Sequence, residues 1–172
     1  MRAALAAEPE CSTGTIQLGR ARAGKLAMLC LVTLLAACAP SDREVDDVRE
    51  ATFRDLFGTW RSALGPAVYC LTIEGHDPAD DFMRRFGGNT SPVTKGSRCS
   101  FPKSESGPIE TETRRHAILF HIGHVTLKWG GRAEVEGGYS EHWLNAGSNN
   151  YFLEKKEGVW KVVKKVQLGP SV

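Results

Sequence analysis

The side chains best equipped for chemistry gather in the last third of the chain. His121 and His124 stand three residues apart, Glu134 and Glu136 follow on the next apolar-polar segment, and His142 comes after them. Two or three imidazoles with a carboxylate form a ligand set that a divalent cation such as Zn²⁺ takes from a protein. To meet, these residues must leave one face of a sheet together. In 116–122, Ile118, Phe120 and Ile122 alternate with Leu119 and His121; in 124–129, Val125, Leu127 and Trp129 alternate with His124, Thr126 and Lys128. The apolar parity changes at Gly123, which predicts a β-bulge that turns both histidines away from the core. Glu134, Glu136 and His142 fall on the corresponding side of the next strand unless Gly137-Gly138 adds a further slip. The same pattern also describes the solvated side of an antiparallel sheet. That plainer reading is carried forward, with no metal and no cofactor expected.

The other reactive groups point to structure more than to catalysis. Five cysteines are present. Cys70 sits mid-strand between apolar neighbours, poor surroundings for a nucleophilic thiolate. His76-Asp77 pairs an imidazole with a carboxylate, but Asp77 also has a use as a helix cap. No nucleophile elbow, phosphate loop, dinucleotide fingerprint or zincin helix is present. Trp60, Trp129, Trp143 and Trp160 read as core and sheet-packing residues rather than a ligand box.

The clearest signal lies at the other end. Leu26 to Ala37 (LAMLCLVTLLAA) is an apolar run of 12 residues, too short for a spanning helix, which needs about 20. Arg20, Arg22 and Lys25 precede it and small residues follow, the order of a secretory signal. Leu35-Ala36-Ala37-Cys38 resembles the lipobox of bacterial lipoproteins. That resemblance implies a signal peptide over 1–37, lipidation of the Cys38 sulfur and a short tether over 38–41. It also implies a membrane partner through the acyl chains. Ala39 in place of an aspartate after the lipidated cysteine directs such a protein to the periplasmic face of the outer membrane in a Gram-negative cell. With Cys11 and Cys30 removed and Cys38 acylated, Cys70 and Cys99 remain as an even pair in an oxidising compartment, and a disulfide between them is expected.

Charge supports the division. Four basic residues (Arg2, Arg20, Arg22, Lys25) and two acidic ones (Glu8, Glu10) precede Cys38, so of 22 basic and 20 acidic residues the remainder holds 18 of each sign. A neutral domain lacks the electrostatic footprint of nucleic-acid binding. The full chain, 41% hydrophobic and 24% charged, has the composition of a globular protein.

The elements that would carry these residues follow in order. Ser41 with Glu44 fits a capping box, and Val45, Val48, Thr52, Phe53, Leu56 and Phe57 make an amphipathic stripe ending near Gly58. Ala67 to Ile73 reads as a strand. Asp77-Pro78 opens a short helix striped by Phe82, Met83 and Phe86. Residues 87 to about 114 read as a long loop that Cys99 ties down. A meander follows, with a hairpin at Glu157-Gly158 and a last strand placing Trp160, Val162 and Val166 on one face and Lys161 and Lys165 on the other. The expected domain, 42–172, is α+β: an N-terminal helix and a short second helix on a curved antiparallel sheet of about 4–5 strands.

The ending NYFLEKKEGVWKVVKKV resembles the final hairpin of cone-shaped α+β folds such as nuclear transport factor 2 and of cystatin-like folds. The segments AVYCLTIEGHDPADDFMRRF, SRC and AEVEGGYSE resemble an uncharacterised group of small bacterial proteins, which implies no activity. The expected function is that of an envelope lipoprotein whose exported domain binds an envelope protein or small ligand. The alternatives are an enzyme or small-ligand binder using a pocket between sheet and helices, and a structural envelope component.

Overall fold

The computed structural model describes residues 41–169 apart from 60–64, 66, 104, 106 and 143. The expected leader over 1–37, Cys38, and Trp60 and Trp143 therefore lie outside the described residues. Helix α1 is Asp42–Thr59. Ser41 Oγ accepts the Glu44 amide at 3.3 Å, satisfying a donor that the first turn leaves open. The Glu44 carboxylate is taken up by Lys155 at 3.2 Å, tying the start of α1 to a distant strand. Val48, Thr52, Phe53 and Leu56 are buried along the expected stripe, each large apolar side chain worth about 1.5–3 kcal/mol of removal from water.

The strands are β1 (Val68–Ile73), β2 (Val93–Lys95), β3 (Cys99–Ser100), β4 (Ile109–Glu110), β5 (Ala117–Lys128), β6 (Arg132–His142), β7 (Asn145–Lys156) and β8 (Val159–Gln167). Six of them form one sheet in the order β2-β1-β5-β6-β7-β8, and β3 pairs with β4 separately. The fold is α+β as expected, but the expected antiparallel sheet of 4–5 strands is corrected on two points. The sheet has six strands, and β1 runs parallel to both neighbours, with Tyr69 opposite Val93 and Ile118. The extra strand is β2, which comes from the Gly/Pro/Ser-rich stretch read as loop. Its three residues are too few to show an alternation.

The second helix, α2, is Asp80–Arg84 and begins later than Asp77. Asp77 does not cap it: its carboxylate accepts the Ser97 amide at 2.8 Å and the Ser97 hydroxyl at 2.5 Å. These bonds hold the carboxyl below its ordinary value and secure the 3₁₀ turn Gly96–Arg98 that follows β2.

Helices and sheet enclose one main core. Phe53, Phe57, Phe82, Phe86, Tyr69 and Phe120 form a continuous set of ring contacts with centroids 4.8–6.2 Å apart, in the edge-on and offset geometries aromatic pairs favour. A second, smaller cluster lies on the opposite face of β1, where Val68, Cys70 and Ala117 are covered by Cys99 and Leu119. Cys70 is bonded to Cys99 across 29 residues, with Cα atoms 6.4 Å apart.

In β8 the expected alternation holds for Trp160 and Val162 and then inverts. Leu153 pairs with Val162 but Phe152 with Lys164, so Val163 is an extra residue. Beyond this bulge Lys165 turns to the helix side, 2.6 Å from Asp55, and Val166 turns out to solvent. The proposed common face of Trp160 and Val166 is thereby corrected.

Replacing both Cys70 and Cys99 by alanine should lower unfolding stability by roughly 3–4 kcal/mol in the chain-entropy account of a loop this long. Denaturant titration measures it, and peptide mapping without reductant should recover residues 70 and 99 in one linked fragment.

Candidate functional site

The face of the sheet turned away from the helices carries the polar row that sequence spacing pointed to. His121 of β5 lies opposite Gly138 of β6, and Gly138 lies opposite Ser148 of β7. Gly138 contributes no side chain, so the His121 ring lies directly over it: a Cβ built there would stand 2.7 Å from His121 Cε1 and 2.9 Å from Nε2. The same Cβ would stand 2.3 Å from the Gly147 carbonyl oxygen, so glycine is required on backbone grounds too. Glu136, two residues along on the same face of β6, accepts a hydrogen bond from Ser148 Oγ at 3.0 Å.

This row has the ingredients of a nucleophilic relay in the wrong order. In a serine relay the imidazole sits between hydroxyl and carboxylate, taking the proton from one while the other orients it. Here the Ser148 hydroxyl gives its hydrogen bond to the carboxylate directly. Burial pushes the His121 imidazole below its ordinary value of 6.5, outweighing the opposing pull of Glu136. A neutral imidazole, a hydroxyl and a carboxylate on a sheet face make a hydrogen-bonding surface able to meet both donors and acceptors.

Farther along the same face toward the hairpin tips, Lys128, Arg132, Glu134, Phe152, Val163 and Lys164 border a hollow of about 380 Å³. Phe152 gives it an apolar floor, and Lys164 Nζ stands 5.5 Å from the centre of that ring. Basic and acidic groups share its rim, with Lys128 and Glu134 3.4 Å apart.

The remaining candidates separate. The predicted bulge is present: the β5–β6 register shifts between Ile122 and Val125. It exposes His124, whose Nδ1 lies 3.6 Å from Glu74. Glu74 in turn bonds Arg49 of α1 at 3.1 Å, so the His124 ring is engaged beside the end of β1 and does not combine with His121 in a ligand set. His142 Nδ1 accepts the Leu144 amide at 3.1 Å, which holds it in the β6–β7 hairpin. Among the described residues no three His, Cys, Asp or Glu side chains are placed to hold a metal ion. Trp160 is buried in the core, but Trp129 is 95% exposed: β5 ends at Lys128 and Trp129 occupies the turn.

A second polar cluster escaped the sequence reading. Glu141, 2% exposed, lies 3.3 Å from His116 Nε2 and accepts Asn145 Nδ2 at 3.0 Å. Asn145 Oδ1 accepts the Tyr139 hydroxyl at 3.4 Å. The β6–β7 register shifts between Ser140 and His142, making Glu141 an extra residue, and Gly107 packs so closely that a Cβ there would stand 2.1 Å from the Glu141 carbonyl oxygen. The network joins the beginnings of β5 and β7 to the end of β6 and to the segment before β4. Its one signal was Glu141 in phase with Ala133, Val135 and Tyr139, a carboxylate at an apolar position. A search among known proteins found no matching family model, curated protein or solved structure.

Two outcomes follow. Gly138→Ala should cost about 1–3 kcal/mol, because a backbone oxygen must move, while Gly123→Ala, whose Cβ meets Glu136 at an ordinary 3.7 Å, should fall within about 0.5 kcal/mol of the parent; chemical denaturation compares them. His121 has a folded value below its unfolded one, so below 6.5 the unfolded chain binds more protons and stability falls with falling pH. His121→Gln should flatten that slope in the window just beneath 6.5, measured as the denaturation midpoint against pH.

Proposed function

We propose that this chain is an envelope-anchored lipoprotein: residues 1–37 direct export and are removed, Cys38 carries the lipid, and the domain over 42–172 is a binding module. The observation that carries the reading is the Cys70–Cys99 disulfide, with Cys70 fully buried. Such a crosslink persists in an oxidising compartment and is rare where thiols are kept reduced. It agrees with an apolar leader that ends in Leu35-Ala36-Ala37-Cys38. In a Gram-negative cell the location is the periplasmic face of the outer membrane.

Binding is assigned to the outer face of the sheet. The space between sheet and helices, which a ligand pocket of the cone-shaped type needs, is occupied by Phe53, Phe120, Leu71 and Ile118, all essentially without exposure. The outer face offers the hollow floored by Phe152 and the polar row of His121, Glu136 and Ser148 beside it. An apolar floor with a few placed polar groups suits an envelope protein segment or a small amphiphilic ligand.

Cells grown with labelled palmitate should yield labelled protein that loses its label in Cys38→Ala. Cytosolic, unlabelled protein retaining residues 1–37 would overturn the anchor. A photoreactive phenylalanine analogue at Phe152 should give a discrete crosslinked product in growing cells that the same analogue at exposed Asp81 does not; identical products from both positions would remove the outer face from the reading.

A further inference from the structure

The fold fixes which end of the domain meets the membrane, an inference that rests on the lipid anchor at Cys38. The chain enters α1 at Ser41 and Asp42, and three residues on, Glu44 is bound to Lys155. The Lys155 amide donates to the Gly131 carbonyl at 2.7 Å, within the turn that joins β5 to β6. The β7–β8 turn at Glu157-Gly158 lies at this same end, because β5 and β7 run in one direction through an antiparallel array. The far end of α1 is elsewhere: Asp55 and Thr59 meet Lys165, at 2.6 and 2.9 Å. So the start of the domain and both hairpin tips share one end of the sheet.

That end carries an uncovered tryptophan. Trp129 precedes Gly130 and Gly131, which hold φ of 76° and 63°, and projects with 95% of its surface exposed; Val159 on the neighbouring tip is 56% exposed. Six of the charges around them compensate one another in three ion pairs, Lys128–Glu134, Lys155–Glu44 and Lys156–Glu154, and Arg132 and Glu157 add one charge of each sign. An end with paired charges and a bare indole is suited to the headgroup layer of a bilayer, where tryptophan rings concentrate, rather than to electrostatic attraction. Chain length forces the same arrangement. Cys38 and Ser41 are three residues apart, a reach of roughly 11 Å at full extension. A lipidated Cys38 thus holds the start of α1, and with it the two tips, close to the headgroups.

We infer that the domain stands end-on upon the membrane that holds its lipid, with the Trp129 indole seated in the bilayer interface. The partner is the lipid surface itself; the outer face of the sheet, with its hollow, then stands upright and open to the envelope space.

The test uses full-length protein purified with its anchor and reconstituted into vesicles of phosphatidylethanolamine and phosphatidylglycerol. Tryptophan emission is quenched with lipids brominated on their acyl chains. Parent protein should be quenched, and Trp129→Phe should lower the quenched fraction about two-fold or more, as expected for removing an indole seated at the interface. Raising the salt concentration should leave quenching unchanged. Equal quenching in parent and Trp129→Phe, on protein whose mass shows lipid at Cys38, would overturn the end-on contact while leaving the anchor standing. Loss of quenching in high salt would overturn a contact made by the indole. A Trp129-dependent change in oligomeric state without quenching would assign the tip to a second copy and overturn the bilayer contact. Absence of lipid from Cys38 would remove the anchor and the inference together.

Discussion

The Cys70–Cys99 crosslink is the constraint on which this architecture turns. β1 lies between two parallel neighbours, and the segment that supplies one of them is rich in Gly, Ser and Pro, with little intrinsic preference for a strand. Three ladder residues cannot hold such a segment by hydrogen bonding alone. The disulfide fastens its far side to the middle of β1, the Asp77–Ser97 bonds fasten its turn, and Glu110 with Thr113 closes the loop behind it. The small cluster of Val68, Cys70, Ala117, Cys99 and Leu119 then covers apolar side chains that β1 and β5 turn to the outer face.

The two faces of the sheet consequently do different work. The helix side is a closed aromatic core, filled with rings. The outer side is covered at β1 and open from β5 to β8, where glycine at position 138 lets the His121 imidazole come close over the backbone. Two buried polar groups on the helix side are paired: Glu141 with His116 and Asn145, Thr52 with the Val48 carbonyl at 2.9 Å. A buried carboxylate without such partners carries a large desolvation cost, so the Glu141 network also fixes where β6 must bulge.

What the sequence made legible was local and periodic. The α1 stripe, its Ser41 cap, the bulge near Gly123 and the last hairpin all follow from spacing that a single element imposes on itself. What stayed hidden depended on partners far away in the chain. β2 exists because β1 is beside it. β7 begins at Asn145 because β6 supplies a ladder for NAGSNN, residues with low strand preference. Asp77 met every local requirement of a helix cap and was claimed by Ser97 instead. In the site, His121, Glu136 and their common face were readable from alternation, but Ser148 was not, since its strand was not; and His124 is engaged by Glu74, which follows β1 and lies far away in the chain.

The bulge at Val163 has a further effect at the sheet's long open border. Among the described residues β8 has no neighbour on its outer side, and a straight border strand of this length invites another chain to extend the sheet. The extra residue breaks the even spacing of its outward amides and carbonyls, and Lys161, Lys164 and Lys165 place charge on both sides of the break. A border that offers no continuous ladder lets many copies crowd side by side without zipping into fibres.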